Sequence, residues 1–286
     1  MNWVSDSHED YLAVDALSSS TIKSLLAKSP AHVLHEKQNP RPTTPAMQMG
    51  TWIHTAILQP TEFRPIVLPD PHTLDIRTKA GKPAKNPRAT SEWESLIENA
   101  HQTANGRPVL DHEQIEIVLG ASAAVAAHPL AQELLSKGIA EQSGYAEIDG
   151  MPVKIRPDFR RCGVEIIDLK TTDDASPAGF SRKARGLRYD IQAAWYRRIV
   201  AQIMGVSIAD TTFLWIVVER SAPFGVAVYS PNLGELLRAD AEIDDAIATY
   251  RKCITTNVWS GYAPTIEPLR LFFGSTDEGE GVDQTF

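Results

Sequence analysis

The sequence predicts an α/β protein in which helices flank a central mixed β-sheet. Three short runs rich in β-branched residues indicate strands at 145–148, 153–156 and 164–169. Turn-forming residues at 149–150 and 160–163 separate these runs, so the strands are predicted to form an antiparallel meander. Stretches with helical periodicity precede and follow the meander. This alternation of strand and helix signals is typical of an α/β fold.

The other elements can be placed in chain order. A helix is predicted to begin at the serines of 18–20, with Ile22, Leu25 and Leu26 on its apolar face. Further helical stretches are 46–58, 98–135 with breaks near 106–108 and 128–129, 188–204, and 233–258. A buried strand at 211–219 and its partner at 225–229 complete the predicted sheet.

The meander brings acidic and basic side chains together. In the third strand, the side-chain period of two places Ile166, Asp168 and Lys170 on one face. Pro157 removes a backbone donor at the end of the second strand. Strand pairing should therefore loosen there, which leaves Asp158 free to face the same pocket.

These residue types suit phosphodiester cleavage with a divalent cation. Carboxylates at Asp158 and Asp168, with Glu147 upstream, are the hard ligands that Mg²⁺ or Mn²⁺ prefers. The ammonium of Lys170 can orient an attacking water or offset negative charge in the transition state. The alternative is a hairpin with ordinary solvated charges at its strand ends.

Two helices offer further site residues. Gly50 and His54 share one face of the 46–58 helix, and the glycine permits close approach of another backbone or a ligand. Gln192 and Tyr196 lie one turn apart on the 188–204 helix, where both could reach a phosphate or a water molecule. Taken singly, each pair is also compatible with core packing.

The chain resembles the PD-(D/E)xK nuclease superfamily, in its RecB-like and RecE-like exonuclease branch. The resemblance rests on five motifs that occur in this order: Gly-x-x-x-His, Glu, Pro-Asp, Asp-x-Lys and Gln-x-x-x-Tyr. Segments 17–23, 29–32 and 46–60 resemble the C-terminal nuclease domain of the exodeoxyribonuclease VIII family and its phage relatives. The resemblance covers residues 10–270. It implies a restriction-endonuclease-like core, and we expect one domain over 1–273 with an N-terminal helical region.

The resemblance also implies roles for individual residues. His54, Asp158 and Asp168 match the metal ligands, Glu147 an upstream acid, Lys170 the catalytic lysine, and Gln192 and Tyr196 the helix motif behind the site. Asp168 stands where many relatives carry Glu, and either carboxylate can bind Mg²⁺.

The implied activity is Mg²⁺-dependent digestion of linear double-stranded DNA from the 5′ end, which leaves a 3′ single strand for an annealing protein. A ring-shaped homo-oligomer is expected, a tetramer rather than a trimer. The histidine ligand also suits Mn²⁺. The alternatives are a structure-specific DNA endonuclease and a non-catalytic protein of the same fold that binds DNA ends.

Basic residues provide candidate DNA contacts. Four lie in a loop at 77–88, namely Arg77, Lys79, Lys82 and Lys85, and three precede the Gln192 helix, namely Arg182, Arg185 and Arg188. The alternative for such charge runs is simple solvation. The resemblance adds Ser20, which would help to seat a 5′ phosphate at a helix N-terminus; helix capping is the competing role for these serines.

Composition is consistent with a globular protein. The chain has 286 residues, 43% of them hydrophobic. Half of its net charge of −8 belongs to residues 274–286, which are rich in Gly and acid and are predicted to be a disordered tail.

The two cysteines, Cys162 and Cys253, are too few for a disulfide framework or an iron–sulfur cluster. No signal segment or membrane-spanning run is evident, so a cytoplasmic location without membrane contact is expected.

Overall fold

A computed structural model describes residues 2–40, 42–77 and 81–266. The helices in these ranges are α1 (His8–Ala13), α2 (Ser19–Ala27), α3 (Pro30–Gln38), α4 (Pro45–Leu58), α5 (Ser91–Thr103), α6 (His112–Ala127), α7 (Pro129–Leu134), α8 (Pro177–Gly186), α9 (Tyr189–Met204) and α10 (Leu233–Thr256). The strands are β1 (Asn2–Val4), β2 (Ile66–Val67), β3 (Val109–Leu110), β4 (Gly138–Ala140), β5 (Ser143–Ile148), β6 (Met151–Ile155), β7 (Phe159–Arg161), β8 (Glu165–Thr172), β9 (Thr212–Glu219) and β10 (Val226–Tyr229).

A five-stranded sheet forms the centre of the fold, in the order β10-β9-β8-β7-β4. Strands β8 and β9 are parallel, with Asp168 opposite Trp215, and the other pairs are antiparallel. The predicted mixed sheet flanked by helices is therefore confirmed. Strands β1, β5 and β6 form a second sheet, and β2 pairs with β3.

The predicted three-stranded meander is wrong in its connectivity. Strands β5 and β6 form the expected hairpin, but β8 pairs with β7 and β9 rather than with β6. The break lies between Ile155 and Phe159, where Pro157 cannot donate to a ladder. The chain leaves the small sheet at this point and enters the central one, so Asp158 lies at the junction of the two sheets.

The two faces of the central sheet have separate cores. Ile166 packs with Phe213, Trp215 and the buried side of α9 on one face. Ile167 and Leu169 pack with residues of α4 and α6 on the other. Because side chains alternate along β8, Asp168 and Lys170 share the face of Ile166, as the period-two argument predicted.

Helix α9 supports this face of the sheet. It is buried along most of its length, including Gln192, Trp195 and Tyr196, and it contacts β5, β6 and β9 as well as α2 and α10. Gly205 ends it in a left-handed conformation, which glycine adopts without steric cost. Residues on the sheet-facing side of α9 are therefore held firmly.

The long predicted helices are present as α4, α9 and α10, and Ser18 caps α2 by accepting from the Thr21 amide. Helix α8 was not predicted, because its arginines were interpreted only as a basic segment. Ser176 caps it and Pro177 opens it, and both are recognised helix-start signals.

No helix in the described ranges is long and apolar enough to span a bilayer. Cys162 and Cys253 are free thiols. Lys79 and the acidic tail at 274–286 lie outside the described residues, so the predictions made for them stay predictions.

Candidate active site

Asp158 lies between β6 and β7 and is anchored to the central sheet. Its Oδ2 accepts a hydrogen bond of 2.7 Å from the backbone amide of Leu169 on β8. The carboxylate of Asp158 is thereby held beside the segment that carries Asp168 and Lys170.

Asp168 is the most enclosed acid of the site, with a side chain only 2% exposed. Its Oδ1 accepts a hydrogen bond of 2.8 Å from Gln192 Nε2, and Lys170 Nζ lies 2.6 Å from its Oδ2. The Asp-x-Lys motif and the Gln192 position, predicted from separate segments, are therefore in direct contact.

His54 approaches from helix α4. Its Nδ1 lies 3.4 Å from Asp158 Oδ2. Gly50 lies one turn earlier, and a side-chain carbon there would meet Thr171 Oγ1 of β8 at 3.6 Å. A side chain as small as alanine would therefore make an ordinary van der Waals contact there, and the close packing of α4 on β8 does not depend on glycine at position 50.

Glu141 replaces Glu147 as the upstream acid near Asp158. One donor atom from each of His54, Glu141 and Asp158 lies within 4.8 Å of the others. Glu147 is exposed near the turn of the β5–β6 hairpin, about 13 Å along the strand from Ser143 at a rise of about 3.3 Å per residue. The expectation that Glu147 joins the cluster is wrong, because Glu147 lies at the far end of its hairpin.

Arg156 holds Glu141 in place. Its Nε donates to Glu141 Oε2 at 3.0 Å, and its Nη1 donates to Asp6 Oδ1 and Ser143 Oγ. The backbone amide of Glu141 also donates to the carbonyl of Asp158. Among the described residues, these contacts occupy Oε2 of Glu141 and leave its Oε1 for another partner.

The donor set suits a divalent cation. One imidazole nitrogen and two carboxylates converge in the group formed by His54, Glu141 and Asp158, and hard cations favour such oxygen-rich sites. In addition, Oδ2 of Asp168 is buried, and its one close polar contact among the described residues is the ammonium of Lys170 at 2.6 Å. These residues can therefore hold a metal ion, although the geometry does not specify which one.

Burial and charge set the protonation of the site. Burial raises the pKa of Asp158 and of Asp168 above the usual value of 3.8, although Lys170 and His54 oppose the shift in both. Burial by itself would lower the pKa of Lys170, but Asp168 and Asp158 outweigh it and raise that pKa. The site therefore favours one ammonium next to two closely spaced carboxyl groups, and a cation would relieve their repulsion.

Tyr196 has a different role from the one predicted. Its hydroxyl donates a 3.1 Å hydrogen bond to the backbone carbonyl of Arg156, and its side chain is buried. The expectation that it reaches a phosphate is therefore not met. Tyr196 instead fixes the backbone two residues before Asp158.

Lys23 is a site neighbour that the sequence motifs did not predict, and it lies beside Tyr189. Lys170 Nζ lies 4.7 Å, and Lys23 Nζ 5.7 Å, from the centre of the Tyr189 ring. Burial, followed by the charge of Lys170, lowers the pKa of Lys23 to about 8. The sequence signal was a lysine among Ile22, Leu25 and Leu26, on the face of α2 that packs against the protein.

The predicted DNA contacts fall into two groups. Arg182 and Arg185 are exposed on α8, and Ser20 is exposed on the first turn of α2. Arg188 is not free, because its guanidinium pairs with Asp190 and Glu242 at 3.0 Å and 2.7 Å; the structure assigns it to the link between α9 and α10.

The predicted loop contacts lie between α4 and α5. Arg77 pairs with Asp75 at 2.8 Å, and Lys82 and Lys85 are exposed. This segment packs around its own small core of Leu68, Ile76 and Trp93.

Comparison with known proteins adds independent findings. The model of a family described as a PDDEXK-like domain of unknown function (DUF3799) matches residues 18–271. The solved structure of a protein from Eubacterium rectale named "Putative exonuclease" superposes with a TM-score of 0.55 at 14% identity, covering 94% of this chain and 97% of that one. At this identity the likeness shows the fold alone.

The solved structure of SSO0001 has a TM-score of 0.28 at 14% identity, covering 72% of this chain and 86% of that one, which is too low to support an argument. No curated protein matches the sequence significantly.

Proposed function

The chain belongs to the PDDEXK-like family DUF3799, and from that premise we propose that it is a metal-dependent nuclease that digests linear double-stranded DNA. One observation carries the proposal: His54, Glu141 and Asp158 converge within 4.8 Å, and Asp168 with its partner Lys170 lies beside them. Acids, an imidazole and an ammonium are thus present at one point of the fold.

The side chains divide the work of hydrolysis. His54, Glu141, Asp158 and Asp168 would hold Mg²⁺ or Mn²⁺. A cation of this kind polarises a phosphate and helps to generate the nucleophile. Lys170 places a positive charge where negative charge develops on the phosphate, and Gln192 fixes the orientation of Asp168 through their 2.8 Å hydrogen bond.

Lys23 adds to the positive charge on this side of the acids. No carboxylate lies within ion-pair distance of its ammonium among the described residues. The ammonium instead lies 5.7 Å from the centre of the Tyr189 ring. An ammonium in such a position gains a partner when a phosphate binds. We therefore include Lys23 among the residues that hold the DNA backbone near the acids, together with Arg182, Arg185 and Ser20.

Three further parts of the proposal come from the sequence resemblance. They are digestion of the DNA from a 5′ end, a ring-shaped oligomer and an annealing partner. The name of the Eubacterium rectale structure agrees with exonuclease action but describes that protein. A structure-specific endonuclease would use the same residues. A non-catalytic DNA-end-binding protein would not require the complete set of acids and Lys170 that is present.

The proposal is tested with purified protein and duplex DNA labelled at one 5′ end or one 3′ end, in Mg²⁺, in Mn²⁺ and in EDTA. We expect metal-dependent release of mononucleotides beginning at the 5′ end, and no cleavage of a closed circle. Cutting of the circle would favour the endonuclease alternative. Absence of cleavage with either metal would refute the nuclease assignment.

Variants separate the site from general folding effects. Asp168→Asn and Lys170→Met should each lower cleavage by at least a hundredfold, because each removes a group in contact with the reacting phosphate or its cation. Glu147→Gln is the matched control, since Glu147 is exposed outside the cluster; it should cleave like the parent protein.

A further inference from the structure

A groove lies next to the acid cluster, between α8 and the start of α10. Its volume is about 1070 Å³, which is ample for a nucleotide. Its floor includes the aromatic residues Phe180, Trp215 and Tyr229. Apart from the proposed contact of Arg185 with the DNA backbone, neither the family description nor the proposed cleavage chemistry gives this groove a role.

The three rings pack together, but Phe180 and Trp215 are only 4% and 5% exposed, so Tyr229 supplies the accessible part of the aromatic floor. Phe180 stacks on Tyr229 with ring centres 5.3 Å apart and an interplanar angle of 11°. Phe180 also meets Trp215 edge to face at 6.0 Å. Tyr229 is only partly buried, so it can offer apolar ring surface to a flat ligand.

The charged groups on the walls balance, with three arginines and three acids among the lining residues. Arg188 pairs with Asp190 and Glu242, and Arg238 lies near the same two acids. The other two charged residues of the lining are Arg185 on α8 and Glu235 on α10, and both are exposed. Neither forms an ion pair among the described residues. The groove thus offers a donor on one wall and an acceptor on the other.

The accessible Tyr229 ring, with a donor and an acceptor on opposite walls of the groove, fits a nucleobase. Bases stack on aromatic rings whatever their sequence, and their edges carry both donors and acceptors. A free phosphate fits less well, since the net charge of the lining is balanced.

The groove adjoins the acid cluster directly. Trp215 is opposite Asp168 in the β8–β9 register, so their side chains project from the same face of neighbouring strands. Tyr189 joins the two regions, because its ring lies 6.4 Å from that of Trp215 and 4.7 Å from Lys170 Nζ. A base in the groove would belong to a strand whose phosphate is near Lys170.

We propose that this groove binds one unpaired nucleobase of the DNA strand that is being cut. The inference rests on the proposed nuclease function and specifies its substrate: the terminal base must leave the duplex before cleavage. Unpairing is least costly at mismatched or frayed ends. DNA with a mismatched terminal pair should therefore be cut faster than fully paired DNA.

Binding can be measured without cleavage. The 286-residue protein in EDTA is titrated with dAMP or dCMP by calorimetry, and deoxyribose 5-phosphate serves as the probe without a base. We expect both mononucleotides to bind at least tenfold more tightly than the sugar phosphate. Ser181→Trp, which fills the groove from an exposed position on α8, and Arg185→Ala should each weaken mononucleotide binding about tenfold and leave binding of the sugar phosphate unchanged.

Lys252→Ala is the control, because it removes an exposed cation on α10 from outside the groove; it should bind like the parent protein. Equal binding of the sugar phosphate, no mononucleotide binding at millimolar concentration, or full binding by both groove variants would each overturn the inference.

The two proposals fail separately. If the protein binds dAMP in the groove but never cuts DNA, the nuclease assignment falls and a nucleotide site remains. If it cuts DNA but binds no mononucleotide, only the groove inference falls. Asp158→Asn should abolish cutting and keep dAMP binding, whereas loss of both would place the ligand at the acids instead.

Discussion

Glu141 occupies a left-handed backbone conformation, with φ of 52°. Residues other than glycine adopt it at a cost of about 1 to 2 kcal/mol. Its amide donates to the Asp158 carbonyl and its carboxylate pairs with Arg156. This local strain lies where the two sheets meet, next to His54 and Asp158, and strained residues often cluster at functional sites.

The first prediction concerns Glu141 as a metal ligand. Glu141→Gln should weaken Mn²⁺ binding about tenfold, because one charged ligand becomes neutral. Glu147→Gln should leave the affinity unchanged, since Glu147 lies outside the cluster. Calorimetric titration with Mn²⁺ at pH 7.5 measures both. Equal affinities in the two variants would show that Glu141 is not a ligand.

The second prediction concerns Lys23. Lys23→Met should weaken binding of duplex DNA about tenfold in EDTA, because a charge-assisted contact to phosphate is lost. With a pKa of about 8, the ammonium loses its proton as the pH rises through 8. Affinity should then fall more steeply between pH 7 and 9 in the parent protein than in Lys23→Met, as fluorescence anisotropy would show. Parallel pH profiles would argue against this role.

At the scale of elements, helix α9 contacts the central sheet, the junction of the two sheets and the candidate active site. Gln192 bonds to Asp168 and Tyr196 bonds to the Arg156 carbonyl, one turn apart on the same face. Trp195 adds a third contact by donating to the Lys154 carbonyl. The helix thus fixes both strands that lead to the two aspartates.

The third prediction tests this support. Tyr196→Phe removes the hydroxyl and leaves a carbonyl without its partner, which should cost about 1 to 3 kcal/mol of stability. Thermal unfolding should occur about 2 to 4 °C lower for each kcal/mol lost. Cleavage should also decrease, since the backbone before Asp158 is less well held. Unchanged stability and activity would mean that the hydrogen bond is unimportant.

The sequence predicted features that depend on local periodicity. The period of two placed Asp168 and Lys170 on one face, and the helical period paired Gln192 with Tyr196. It missed Glu141 and Lys23, because their positions depend on a left-handed turn and on long-range packing of α2 against α9. The meander was wrong because a proline can either loosen a pair of strands or end a sheet, and local patterns do not distinguish these outcomes.

At the scale of the whole molecule, the site draws on distant parts of the chain. α4 supplies His54, the segment after β4 supplies Glu141, the sheet junction supplies Asp158, and β8 supplies Asp168 and Lys170. None of these groups forms the site without the global fold. A bound cation should therefore stabilise the protein as a whole.

The fourth prediction links metal, pH and stability. Asp158 and Asp168 have pKa values above the ordinary 3.8 in the folded protein, so the folded state holds these protons more tightly than the unfolded chain does. Without metal, this contribution to folding becomes less favourable as the pH rises from below 3.8 through the raised pKa values. Once the pH exceeds these raised pKa values, the charged acids are a cost that a cation can offset.

In EDTA at pH 7.5, Asp158→Asn should unfold about 2 °C or more above the parent protein, because the variant removes a partly buried carboxyl group whose charged form the fold disfavours. Adding Mn²⁺ should raise the unfolding temperature of the parent at pH 7.5, raise it less at pH 5 where protons compete for the acids, and leave Asp158→Asn nearly unchanged. Differential scanning calorimetry measures all of these. A variant less stable than the parent in EDTA would mean that the Asp158 carboxylate stabilises the metal-free fold, and the electrostatic account of the site would then have to be abandoned.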